Sequence, residues 1–242
     1  MTTKMNYRRT VFFAQTFTRL LLLALTAVSS CKEEDDKAEN ESWDAADLYF
    51  DYRISGEEGK NDVTLLVQYK KGGQSGKAIS LADRARVDLD GQVLKADSAK
   101  LSGVFYEARR PLVDFAGVHR ITFSITGGKQ FSDEFLFTPF TLKNEIPERV
   151  SRNGLDIVLD GVDEGTPIRY VLSDTSFESN GINEVEKLVN NTLHIDGEQL
   201  EGLKSGPVSL LLMMEMDKRL NSPGGVGRLR ILYELKREFL LE

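Results

Sequence analysis

An all-β chain of two tandem sandwiches is what this sequence predicts, and three observations carry the prediction. Apolar residues recur at every second position in short runs. Gly, Asn and Asp close each run. The landmarks of the first half then return, in the same order, in the second.

From Asp47, the residues Leu48, Phe50, Tyr52 and Ile54 alternate with polar neighbours until Gly56-Glu57-Glu58-Gly59 turns the chain. Val63, Leu65, Val67 and Tyr69 alternate again, up to a glycine-rich turn at residues 72–76. Side chains in a strand point to opposite faces in turn, so such alternation marks a strand with one buried face. Asp90-Gly91 lies between runs at 86–89 and 93–96. That dipeptide is a strong hairpin signal, because a type I′ turn needs positive φ at both central residues. Runs at 103–109, 118–126 and 131–138 follow, the last two joined through Gly127-Gly128.

The second half answers the first. Residues 54–59 correspond to 159–165, 63–69 to 168–174, Asp90-Gly91 to Asp196-Gly197, and 117–121 to 225–229, with an offset drifting from 105 to 108. Seven short strands per half with regular turns resemble the immunoglobulin-like sandwich, although its cysteine and tryptophan hallmarks are absent. The expected organisation is a leader at 1–30, an acidic tether at 31–46, and immunoglobulin-like sandwiches at 47–142 and 143–242. A short polar link around residues 142–153, containing Pro147, joins them. Asn183 with Glu186 three residues on reads as a helix start. Ile182, Val185, Leu188 and Val189 fall on one helical face, so a short helix is expected in the second sandwich.

The leader has basic residues Lys4, Arg8, Arg9 and Arg19, an apolar stretch at 20–28, and Ser29-Ser30. This is the build of a secretory signal, and the apolar run is too short to span a bilayer. Val28-Ser29-Ser30-Cys31 ends it on the single cysteine of the chain. These four residues resemble the lipobox of bacterial lipoproteins, which implies a diacylglyceryl thioether on Cys31 and membrane attachment through it. Two or more acyl chains make such anchoring stable. Lys32, Glu33, Glu34, Asp35 and Asp36 resemble the export signal that follows the lipidated cysteine in surface lipoproteins of the Bacteroidetes; a solvated acidic spacer is the plainer alternative. Asp97-Ser98-Ala99 resembles the O-glycosylation triplet of exported proteins of that group, which makes Ser98 a candidate. The resemblance places the chain on the outer membrane, lipid-anchored and exposed at the cell surface.

The chain carries 31 Lys+Arg and 38 Asp+Glu. Residues 1–30 hold four of the bases and no acid, which leaves 27 bases against 38 acids and a net charge of −11 after processing. Nucleic acid is excluded as a partner by this balance, since its binding depends on Lys and Arg neutralising phosphates. Only two histidines, His119 and His194, accompany the one cysteine, so the usual zinc spacing is missing. His119 shares strand parity with Ile121, Phe123 and Ile125 and reads as structural; His194 reads as exposed. Asp160, Asp163 and Glu164, matched by Glu57 and Glu58 in the first half, offer oxygen ligands but not the alternating pattern of a calcium loop. No nucleophile elbow or Ser-His-Asp spacing is present, and no cofactor motif. No catalytic or metal-binding residue is therefore assigned.

The expected function is a non-enzymatic binding or assembly module on the envelope, with an unidentified protein or glycan as partner. The alternative is a glycan-binding lipoprotein of a polysaccharide-uptake system, for which Tyr49, Tyr106 and Tyr170 would have to supply stacking faces. In residues 208–216, Val208, Leu210, Leu212, Met214 and Met216 form one apolar face, and Leu211 and Met213 make the opposite face apolar too. A strand apolar on both sides calls for cover on both. The predicted helix, the first sandwich or an external partner could each supply it.

Overall fold

The computed structural model describes residues 44–81, 84–175, 181–220 and 226–242. The expectations for the leader, Cys31, Lys32 to Asp36 and the tether up to residue 43 lie outside the described residues. Ser42–Glu242 forms one compact unit.

Its first half contains β1 (Leu48–Glu57), β2 (Asp62–Lys71), β3 (Lys77–Ala78), β4 (Ala85–Leu89), β5 (Gln92–Val93), β6 (Lys95–Ala99), β7 (Gly103–Pro111), β8 (Gly117–Ile125) and β9 (Gln130–Phe137). One layer runs β1-β2-β7-β6 and the other β5-β4-β8-β9. Asp90 and Gly91 take φ of 52° and 80° between β4 and β5, the positive values a type I′ turn requires. The expected strand after this turn is broken at buried Leu94. There the chain crosses between layers, so that β5 pairs with β4 while β6 pairs with β7.

The second half contains β10 (Thr141–Leu142), β11 (Arg149–Val150), β12 (Gly154–Asp160), β13 (Pro167–Asp174), β14 (Ile182–Lys187), β15 (Thr192–Asp196), a helix α1 (Gly197–Glu201), β16 (Gly206–Leu220) and β17 (Val226–Leu241). Its layers run β10-β12-β15 and β14-β13-β16-β17. Thr141 and Leu142 pair with Asp160 and Leu159, so they belong with this half. Both halves have the two-sheet immunoglobulin arrangement, and the fold is all-β, with one short α-helix among the described residues.

Two expectations need correction. The internal repeat is one strand out of step. Residues 63–69 lie in β2, whose counterpart in layer and order is β12, not β13; likewise β8 corresponds to β16 and not to β17. The true offset is about 90 residues, with β2 starting at 62 and β12 at 154, and β8 at 117 and β16 at 206. Alternating strands resemble one another whichever sheet they join, so a shift by one strand still aligns apolar positions. The helix is also elsewhere. Residues 182–187 form strand β14, paired with β13 from Ile182↔Leu172 to Lys187↔Pro167, because β13 would otherwise leave a row of backbone groups unpaired. The actual helix follows Asp196, where a hairpin turn was expected. The Gln199 side chain accepts from the Asp196 backbone N–H (2.9 Å) and closes the first turn.

The halves meet edge to edge. β1 pairs with β17 in parallel, from Tyr49↔Val226 to Glu57↔Glu234, and this merges one layer of each half into a ten-stranded sheet. Under it lies one continuous core. Phe50, Tyr69 and Phe123 meet at ring separations of 4.8 to 5.3 Å in the first half. Tyr233 of β17 packs edge-on against Phe137 (5.9 Å) and Phe140 (5.2 Å), which carries aromatic contact across the seam.

The seam needs a glycine. Gly227 lies opposite Phe50, and a Cβ there would meet the Phe50 carbonyl oxygen at 2.5 Å and its Cβ at 2.7 Å. Gly227→Ala is expected to cost about 2–3 kcal/mol by overpacking. Urea denaturation should show a lower midpoint with an unchanged slope.

Candidate interaction face

The outer face of the ten-stranded sheet carries the features that the buried core does not explain. On β1, Phe50, Tyr52 and Ile54 point inward, while Tyr49, Asp51 and Arg53 point outward. Asp51 is nonetheless only 3 % exposed. Its carboxylate accepts from Arg53 Nη2 (2.6 Å) on the same strand, Lys70 Nζ (2.7 Å) on β2, and Arg230 Nη2 (3.2 Å) on β17. One acid thus ties three adjacent strands across the seam. Burial alone would raise its pKa, but the hydrogen bonds from Arg53 and Lys70 outweigh that and hold the carboxyl well below the usual carboxylate range. The signal for it in the sequence is an acid within an apolar alternation, two residues before an arginine.

Beyond the seam lies an aliphatic strip. Val185, Arg169, Met213 and Glu234 form one cross-strand row, and Asn183, Val171, Leu211 and Lys236 the next. Val171, Leu211, Met213 and Leu232 are half-buried and Val185 is exposed. The two expected internal covers are not there: residues 182–187 continue the same sheet as β14, and the first half extends that sheet instead of crossing it. Ion pairs frame the strip. Arg169 reaches Glu215 (3.4 Å) and Asn183 (3.1 Å), and Lys236 reaches Glu57 (2.9 Å) across the seam.

The remaining candidates separate. Ser98 is exposed on edge strand β6, not in a loop, and its N–H donates to Asp97 Oδ1 (2.7 Å). His119 stacks on Phe115 at 3.8 Å and bonds Asp90 Oδ2 (2.8 Å) and the Phe115 carbonyl (3.0 Å), so both ring nitrogens are used structurally. Together with Arg120 and Glu134, which pair with each other, it lines a shallow concavity beside the Asp90 turn. His194 is exposed between Asp156 and Asp196, and the hydrogen bond to Asp156 pushes its pKa up. Arg228 pairs with Asp217 on the neighbouring strand.

Glu164 accepts from the backbone N–H groups of Asn190 (3.0 Å) and Asn191 (3.2 Å), both at positive φ, so it supports a turn. Among the described residues, no three His, Cys, Asp or Glu side chains come together as a metal-binding group. Of the three tyrosines named for glycan stacking, Tyr49 is half-buried and the other two are in the core. The Tyr106 hydroxyl accepts from the Leu81 N–H (2.9 Å). The Tyr170 hydroxyl accepts from Gln199 Nε2 (2.6 Å) and donates to Glu184 Oε2 (3.2 Å), and burial pushes its pKa up to about 12.

No protein-family model matches the chain, and no curated protein does. Among solved structures, tandem Ig repeats of Dlar are similar at 9% identity over 80% of this chain and 96% of that one, with a TM-score of 0.22. A bacterial ice-binding adhesin involved in host cell surface retention is similar at 11% identity over 81% and 66%, TM-score 0.25. Domains 6–7 of the surface layer protein SbsC follow at 13% over 78% and 98%, TM-score 0.24. Scores this low carry no argument, and the description of the fold rests on its strand pairing.

The Asp51 cluster makes a pH-dependent prediction. With the folded pKa depressed, Asp51 stabilises the fold above the unfolded carboxyl value of about 3.9, and this contribution is lost as pH falls below it. Asp51→Asn is expected to cost about 2–3 kcal/mol near neutral pH, less than a wholly buried pair because the two arginines are nearly half exposed. In denaturation measured across pH, the gap between variant and native chain should narrow below about pH 4.

Proposed function

We propose that the protein is a non-enzymatic, lipid-anchored module of the cell envelope whose outer sheet face binds another protein. The observation that carries the binding role is the aliphatic strip around Leu211 and Met213, apolar at its centre and framed by charged pairs. Protein interfaces combine an apolar centre with a polar rim in this way. The strip is built of aliphatic and methionine side chains, which adapt to a protein surface. A glycan platform would want exposed aromatic faces, and Tyr106 and Tyr170 are committed to the core, which weakens the polysaccharide-uptake alternative. The non-enzymatic reading is supported by the two histidines, each held by carboxylates in a structural arrangement. Envelope attachment is supported by Val28-Ser29-Ser30-Cys31 at the end of the leader, and surface exposure by the run from Lys32 to Asp36.

Two experiments test these parts separately. Cys31→Ser should move the protein from the membrane to the soluble fraction and abolish incorporation of labelled fatty acid; membrane partition that survives the change would refute the anchor. Leu211→Glu with Met213→Glu should lower stability by no more than about 1–3 kcal/mol, as both side chains are half-buried and not in the core, and the variant should stay folded. Affinity capture from the protein's own cells should recover a protein with the native chain and lose it with the double variant. Recovery of a polysaccharide instead, or equal capture by both chains, would overturn the assignment of the strip.

A further inference from the structure

The two ends of the first sandwich differ in chemistry. The chain enters the fold at Leu48, which is paired with Lys71. Lys71 is paired with Lys77, the β6–β7 turn places Lys100 and Leu101 at the same end, and the β8–β9 turn adds Lys129 there. All four lysines are exposed. Among the described residues, the acids at the entry are Asp44, which accepts from the Ala46 N–H (3.1 Å), and Asp47; the acidic tether of residues 31–46 leads into this end. The opposite end carries Glu57, Glu58, Asp62 and Asp114 with a single lysine, Lys60, in the β1–β2 turn, and Glu57 and Glu58 are paired with Lys236 and Arg237. In a chain whose processed net charge is −11, this basic end is a local exception.

Leu101 adds a second, independent feature. It is 102 % exposed at the tip of its turn, so it contributes nothing to the core, and Lys100 precedes it. An apolar tip among basic residues is the composition of a surface that rests on an anionic bilayer: the lysines meet phosphates and the leucine enters the boundary between headgroups and acyl chains. Val113 shows the contrast. It is 87 % exposed, but at the other end and beside Asp114.

We propose that this end, with Lys77, Lys100 and Lys129 around Leu101, docks on the anionic headgroups of the membrane that holds the tether. Fully extended, the tether from residue 32 to 46 would span roughly 50 Å, and attachment through it does not by itself set which face of the sandwich meets the lipid. Docking fixes that orientation, with the turns at this end facing the lipid. The proposal rests on the anchored reading for its setting, but its chemistry can be tested without the anchor.

A chain starting at Lys32 keeps the whole compact unit and removes both leader and Cys31. It is mixed with phosphatidylcholine vesicles, with and without phosphatidylglycerol, and sedimented. Binding is expected only with phosphatidylglycerol and should weaken as salt is raised. Each basic residue near such a surface contributes roughly fivefold in partitioning. Lys77→Glu, Lys100→Glu and Lys129→Glu together should therefore lower binding by roughly a hundredfold or more, while Leu101→Asp should lower it with every lysine in place. All sites are exposed turn or edge positions, so melting temperatures should stay unchanged. Equal binding to both vesicle types, or binding indifferent to these changes, would overturn the proposal. So would a native chain that binds only after Glu33 to Asp36 are replaced by Ala, since the basic end would then be occupied by the chain's own acidic segment. A failed anchor test leaves this readout intact, so the two readings fail separately.

Discussion

Everything in this fold depends on the parallel pairing of β1 with β17. Without it there would be two ordinary sandwiches on a link; with it, strand ladder, ion pairs and aromatic packing all cross the same line. The pairing tolerates no side chain at Gly227 and places Asp51 where cations from three strands reach it. A parallel pair is slightly weaker per residue than an antiparallel one, so these contacts above and below the ladder matter. On the core side Tyr233 meets Phe137 and Phe140, and on the outer side Arg230 meets Asp51.

The outer face takes its character from that join. Lys236 of β17 bonds Glu57 of β1, and Arg237 pairs with Glu58 in the turn that follows β1. Charged pairs therefore concentrate along the seam, while the aliphatic strip lies on strands β13, β16 and β17 to one side of it. The binding region proposed here lies on strands of the second half, beside that row of ion pairs.

Period-two alternation showed the strands of each half, and Asp90-Gly91 showed its turn, because these signals are local. Layer membership is not local: a strand that belongs to one sheet has the same apolar spacing as a strand of the other, which is why the repeat was aligned one strand out of step. The helix was misplaced for a related reason. Ile182 to Val189 suits a short helix when read alone, but the unpaired edge of β13 takes it as a strand. Leu211 and Met213 are visible in the sequence as a second apolar face, whereas the role of Asp51 is not, since Arg230, which reaches it across the seam, lies 179 residues away.

The seam also constrains the order in which the chain can be completed. β1 is among the first parts of the compact unit to leave a ribosome or a translocation pore, and β17 follows only after nearly all of the remaining fold. Throughout that interval one edge of the first sandwich stays open, and open edges invite pairing with other chains. Contacts this far apart in sequence close late. Two molecules emerging side by side could exchange their β17 strands, each closing the other's sheet.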